Sequence, residues 1–235
     1  MEKKVINVPG VEELAQPQTR RAFLKTLMVA GLSAAAVGSA ALSPKAEAQS
    51  SDLEIFQIAL LLELLEGTFY QQALDAGVLS GSALAAVTNL RDHEFTHAAF
   101  LQSAGADPSQ VPGFVFPPES LASQEGVLQL AATLEPVGVG AYLGAAPLIA
   151  DPSNLEAALS IYGTENDHVT TINNLIGVYP PANTAFKTPI TAQEALAAAA
   201  PFLASAPGGA APPPAEDPGV PAEAGFPGGP TATAP

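Results

Sequence analysis

The stretch RDHEFTHAAF, residues 91–100, holds two of the chain's three histidines and places His97 three residues after Glu94. Residues three apart share one face of a helix, so this carboxylate and this imidazole can point in the same direction. Such a pair can bind one metal ion, or it can be two polar side chains on a solvated helix. A single pair does not distinguish between these interpretations.

A second pair with the same spacing, Glu165 and His168, occurs in IYGTENDHVTT, residues 161–171. With 16 glutamates and three histidines among 235 residues, chance placement gives roughly 0.2 such pairs when matches to the spacing are counted. The presence of two pairs therefore favours a common role for both.

Each pair also follows a glutamate that stands seven residues before a tyrosine. From Glu63, the offsets to the tyrosine, the second glutamate and the histidine are 7, 31 and 34 residues; from Glu135 they are 7, 30 and 33. The two tyrosines are Tyr70 and Tyr142. The nearly repeated constellation predicts two similar helix hairpins that face each other.

Apolar residues at helical spacing predict four long helices, over residues 53–76, 80 or 82–104, 120–148 and 153–176. Glycines at 77, 105 and 177 are expected to end three of them, and Pro136 is expected to kink the third or open its hydrogen bonding. The segment ADPSQVPGFVFPPES, residues 106–120, is a long loop with four prolines. Two helix pairs joined by one long crossover predict an all-α, antiparallel four-helix bundle.

The middle of these helices would bring six side chains to the bundle centre. Four buried carboxylates repel one another and resist ionisation, and two divalent cations would remove that conflict. Glutamates on the solvent face are the alternative, but Glu63 lies in the apolar surround ALLLELLEGTF. The sequence therefore predicts two metal ions held by Glu63, Glu94, His97, Glu135, Glu165 and His168.

For several neighbouring residues, two interpretations of their role remain open. Glu66 competes with Glu63 as the ligand of the first helix; Glu63 is preferred because the second copy has Gly138 at the corresponding position, and Glu66 is then a neighbour of the ligands. Tyr70 and Tyr142 either hydrogen-bond to ligand carboxylates or fill the core.

The residues beside the two motifs are less specific. His93 points about 100° away from Glu94 around the helix and is expected at the surface or between helices. Asp92 and Asp167 are either acceptors that orient the histidines or solvated acids. The stretch VGVGAYLGAA, residues 137–146, is rich in small residues and predicts close helix approach, within the bundle or across a homo-oligomer.

The order of these ligands resembles the ferritin-like four-helix bundles of the di-iron carboxylate class. LELLEGTFYQQAL, HEFTHAAFL and LEPVGVGAYLGAA are further similar to exported ferritin-like proteins, including relatives of plant desiccation-related proteins. The resemblance implies two iron ions, with two manganese ions as the alternative, that react with O₂ or peroxide beside Tyr70 and Tyr142. It implies ferrous iron oxidation or peroxide removal; a protective structural bundle, enzymatically inactive, is the other interpretation, and an iron-storage cage a weaker one.

Composition excludes other classes of site. The chain has no cysteine, which excludes disulfides, thiolate nucleophiles and iron–sulfur clusters. Its net charge is −15, and only two basic but 19 acidic residues follow Ala48. Such a body repels nucleic acids and anionic membranes and attracts cations.

The first 48 residues read as an export signal. Arg20 and Arg21 begin a twin-arginine motif, an Ala-rich apolar run follows, and AEA at 46–48 offers small residues for cleavage. The run is too short to be a good membrane anchor, so we expect no stable span in a mature chain that begins near residue 49 in the periplasm or another extracytoplasmic space. The expected organisation is then a signal at 1–48, a bundle at 52–177, an extension with a short helix at 178–205 and a disordered Pro-, Ala- and Gly-rich tail at 206–235.

Overall fold

The computed structural model of the chain describes residues 44–178 and 185–204. The twin-arginine motif and the tail predicted to be disordered lie outside these residues. The described part is helical and contains no strand, apart from one isolated bridge between Phe114 and Leu203. No helix in it is both long enough and apolar enough to cross a bilayer.

Within residues 44–178 and 185–204, four long helices and one short helix make up the fold, which confirms the predicted bundle. They are α1 (Pro44–Asp75), α2 (Gly81–Ser103), α3 (Gln124–Ala145), α4 (Pro152–Leu175) and α5 (Ala192–Ala199). Gly77, Gly105 and Gly177 follow three of the long helices with positive φ, as the predicted stops require.

The third helix is shorter than predicted. Its N-cap is Ser123, whose hydroxyl accepts from the Gly126 N–H, whereas the Ser120 hydroxyl donates to the Pro117 carbonyl inside a preceding 3₁₀ turn, Pro118–Leu121. Another 3₁₀ turn, Ala146–Leu148, follows its C-terminus. Pro136 lies within α3 and faces solvent, beside the buried Glu135.

Side-chain contacts show how the helices run relative to one another. Tyr70 of α1 reaches Glu135 of α3, while Glu63 of α1 reaches Tyr142 of α3, so the residue numbers run in opposite directions and these helices are antiparallel. The hairpins α1–α2 and α3–α4 pack against each other across this pair. Helix α1 is buried on nearly all sides between residues 55 and 67, which makes it the centre of the core.

The extension after α4 returns to the bundle and covers α3. The Ile190 N–H donates to the Gly140 carbonyl at 3.0 Å, and a Cβ atom at Gly144 would lie only 2.0 Å from the Ile190 carbonyl oxygen. The expected close approach of a second helix is therefore wrong at Gly140 and Gly144, because a non-helical segment of the same chain lies on them. Past α5, the Ala204 N–H donates to the Gly113 carbonyl at 2.8 Å and ties the extension to the crossover loop.

Candidate metal centre

The six side chains predicted to bind metal converge in the middle of the bundle, each from the predicted helix. The four glutamates are at most 1% exposed, and His168 is 2% exposed. The imidazole of His97 is 11% exposed. The alternative that these glutamates lie on the solvent face is therefore excluded.

The six side chains form two groups whose possible ligand atoms lie within 4.8 Å of one another. The groups are Glu63, Glu94, His97 and Glu165, and Glu94, Glu135, Glu165 and His168. Each group contains one imidazole and three carboxylates, and the two groups share Glu94 and Glu165. This is the arrangement that two adjacent cations with bridging carboxylates require.

The shared glutamates span both groups. The Oε1 atom of Glu94 lies 2.8 Å from His168 Nδ1, and its Oε2 atom lies 3.4 Å from His97 Nδ1. The Oε1 atom of Glu165 lies 3.4 Å from His97 Nδ1 and 3.8 Å from His168 Nδ1. Each histidine therefore presents Nδ1 to the centre, and each shared carboxylate can reach both positions.

The other two glutamates belong to one group each and are held by tyrosines. Glu63 lies 3.0 Å from His97 Nδ1 and accepts a hydrogen bond of 2.5 Å from the Tyr142 hydroxyl. Glu135 lies 3.3 Å from His168 Nδ1 and accepts a hydrogen bond from the Tyr70 hydroxyl. Each tyrosine thus donates to the glutamate of the opposite hairpin, which fixes the terminal carboxylates and joins the hairpins.

Several buried atoms of the centre have no hydrogen-bond partner among the described residues. They are both oxygens of Glu94, both oxygens of Glu165, Glu135 Oε2 and His168 Nδ1. Some lie near one another, but the contacts lack hydrogen-bond alignment. Buried polar atoms in proteins are otherwise almost always paired. A cluster of unpaired carboxylate oxygens and an imidazole nitrogen is therefore what a binding site for cations would contain.

The electrostatics of the centre support this interpretation. Burial, followed by the charges of Glu94 and Glu63, holds the pKa of Glu165 well above its usual range, and burial raises the pKa of Glu94 to about 7. Burial alone would lower the pKa of His97, but the charge of Glu63 together with hydrogen bonds to the neighbouring carboxylates outweighs burial and raises that pKa to about 12. Protons therefore balance the carboxylates when no metal is bound, and cations would displace them.

Glu66 is a fifth buried carboxylate at the edge of the centre. It is 3% exposed, and burial together with the other glutamates holds its pKa well above the usual range. Its Oε2 atom lies 3.6 Å from the Cβ position of Gly138, beside the Glu165 carboxylate. Glu66 lies outside both four-residue groups, so the arrangement favours Glu63 as the ligand and Glu66 as its neighbour.

His93 has a role that the sequence did not reveal. Its Nδ1 atom lies 3.0 Å from His168 Nε2, and the two rings are stacked with centroids 5.3 Å apart. The prediction that His93 is a surface or interhelical residue is confirmed, and the contact leaves His168 Nδ1 as the nitrogen that faces the carboxylates. Asp92 instead pairs with Arg91 at 2.6 Å, and Asp167 is exposed.

The bundle and its central cluster agree with the comparison of the sequence to protein families. Residues 51–178 match the sequence profile of the ferritin-like domain. The match covers more than half of the chain, so the chain belongs to the ferritin-like domain family, and the resemblance inferred from the two motifs is confirmed at that level. A comparison with curated proteins found no match.

Proposed function

We propose that this protein is an exported, redox-active metal protein that binds two iron ions between its helix hairpins. The observation that carries the proposal is the pair of four-residue groups that share Glu94 and Glu165. Three carboxylates and one imidazole per position form a hard, oxygen-rich ligand set that suits iron, and it suits manganese as well.

Bound ferrous iron would supply one electron per ion, so that two ions and two protons reduce one O₂ to hydrogen peroxide. The residues of the chain hold this chemistry in place. Glu94 and Glu165 span the two positions, while Tyr70 and Tyr142 hold the terminal carboxylates and exclude water from them. The burial of the centre strengthens the attraction between the carboxylates and the cations.

The proposal is tested by loading the chain with ferrous iron without oxygen, adding O₂, and following oxygen uptake and the appearance of ferric iron. Glu94→Ala should abolish rapid oxidation, because one oxygen of this carboxylate lies near each histidine. Glu156→Ala is the matched control, since Glu156 is exposed on α4. Equal oxidation by wild type and Glu94→Ala would contradict the proposal and favour a protective bundle without a working metal centre.

Export is the second part of the proposal, and it rests on the twin-arginine motif, the apolar run and the small residues at 46–48. The twin-arginine route carries folded cargo, which would allow metal loading before export. Replacement of Arg20 and Arg21 by lysine should leave the full-length chain inside the cell. Immunoblotting of cell fractions measures the export. If the variant is exported as efficiently as the wild type, the proposed twin-arginine export is contradicted.

A further inference from the structure

A cavity of about 30 Å³ lies beside the metal centre, between α1, α3, α4 and the C-terminal extension. Ala59 of α1 and Ala158 of α4 form its inner walls. Ile190 and Ala192 of the extension form its outer wall. Most of its lining residues are buried, and the half-buried ones lie along the seam between α3 and the extension.

The lining is unsuitable for water. Tyr142 is the only polar side chain among the residues that line the cavity, and its hydroxyl already donates to Glu63. A buried water needs two to four polar partners, whereas cavities lined by apolar side chains stay dry and bind apolar molecules such as xenon. A volume of this size corresponds to about two water-sized probes. The cavity is therefore large enough for a diatomic or noble gas but too small for a larger ligand.

The position of the cavity connects it to the candidate metal centre. The Tyr142 side chain is part of the cavity wall, and its hydroxyl contacts the terminal carboxylate of Glu63. Ala59 lies one helical turn before Glu63 on α1. A molecule in the cavity would therefore lie against Tyr142, the residue whose hydroxyl contacts Glu63.

The outer wall depends on residues beyond the ferritin-like match, which ends at residue 178. Ile190 can lie against α3 only because Gly140 and Gly144 have no side chains: a Cβ atom at either position would meet Ile190 or its backbone at 3.2 Å or less. Ala192 then follows at the start of α5. The small residues of α3 therefore allow the extension to form the outer wall of the cavity.

We propose that this cavity is a binding site for small apolar molecules, that dioxygen is its occupant, and that the C-terminal extension retains dioxygen beside the metal centre. The choice of dioxygen rests on the proposed function. The binding of an apolar gas does not, because it follows from the lining alone.

The first test uses xenon as the probe and the full chain. Xenon-129 NMR should show saturable binding to the wild type, and Ala192→Leu and Ala158→Val should each abolish it by filling the cavity from opposite walls. Ala198→Leu is the matched control, since Ala198 lies on α5 outside the lining and should leave xenon binding unchanged. Absence of saturable xenon binding to the folded wild type, or equal binding by both filled variants, would overturn the proposal.

The second test separates the occupant from the proposed function. In the iron-loaded chain, the filled variants should raise the KM for O₂ several-fold while iron content and maximal rate stay at the wild-type values. Unchanged O₂ dependence in both filled variants would overturn the assignment of dioxygen while the proposed function stands. A wild type that binds no iron would instead refute the proposed function, and with it the assignment of dioxygen, while xenon binding would still decide whether the cavity binds gas.

Discussion

Gly138 tests whether the Glu165 carboxylate belongs to a metal centre, because a single methyl group there would displace it. A Cβ atom at Gly138 would lie 2.7 Å from Glu165 Oε2, well inside the 3.4 Å at which ordinary contacts begin. Within a helix, alanine is otherwise favoured over glycine by about 0.5–1 kcal/mol. Overpacking costs about 1–3 kcal/mol, and the displaced atom is the end of a flexible side chain, so Gly138→Ala should leave the stability of the metal-free protein within about 2 kcal/mol of the wild type.

The metal affinity should respond much more strongly. Glu165 is shared by both groups of candidate ligands, so its displacement should weaken metal binding at both positions. Changes that disturb the orientation of metal ligands typically cost about 10–100-fold in affinity, and we expect a loss of this order for Gly138→Ala. Titration of the metal-free chain with ferrous iron against a competing chelator measures the affinity, and urea unfolding measures the stability.

Gly163→Ala is the matched control. Gly163 lies on α4, two residues before Glu165, and a Cβ atom there would meet nothing within 4 Å. This variant should gain about 0.5–1 kcal/mol of stability and keep the wild-type affinity. Wild-type affinity in Gly138→Ala would refute the reasoning, because it would mean that the Glu165 carboxylate does not bind metal where the structure places it.

Other parts of the centre respond differently to change. Tyr70→Phe removes a buried hydrogen bond to a carboxylate and should lower the unfolding free energy of the metal-free protein by about 1.5–3 kcal/mol in urea unfolding; an unchanged value would contradict the tyrosine contact. His93→Ala should lower the metal affinity of one of the two positions about 10-fold or more in calorimetric titration. Thr164→Ala, at the equivalent place in the second motif, should leave the affinity of both positions unchanged. Burial raises the pKa of Glu94 from 4.5 to about 7, and nearby carboxylates raise that of His97 from 6.5 to about 12. The folded metal-free protein therefore binds more protons than the unfolded chain, and its melting temperature should fall between about pH 5 and about pH 8; a rise would contradict the charge balance, and bound metal should remove most of the dependence.

Local spacing predicts well which side chains converge at the bundle centre, for a physical reason. The three-residue separation of Glu94 and His97 places both on one face of a helix wherever that helix lies, and the same holds for the second pair. Glycines that end helices mark the hairpins in the same local way. The four candidate ligand glutamates, the four-helix bundle and its long crossover therefore follow from patterns within single helices.

Features that depend on the register between helices do not follow from such patterns. The crossing of Tyr70 to Glu135 and the contact of His93 with His168 each join two helices whose relative positions depend on packing. The docking of Ile190 onto Gly144 is of the same kind. The glycines four residues apart in α3, Gly140 and Gly144, predict that another segment packs closely against the helix. They do not predict which segment this is.

The metal content of the purified full chain tests the central claim most directly. Elemental mass spectrometry should find about two iron or manganese ions per chain in the wild type, as a dinuclear bundle centre requires. The double variant Glu94→Ala, Glu165→Ala should fall to near zero, while Glu156→Ala should keep the wild-type content. A wild type that holds no metal, even after loading with ferrous iron in the absence of oxygen, would contradict the account and leave the buried carboxylates as an inherited scaffold.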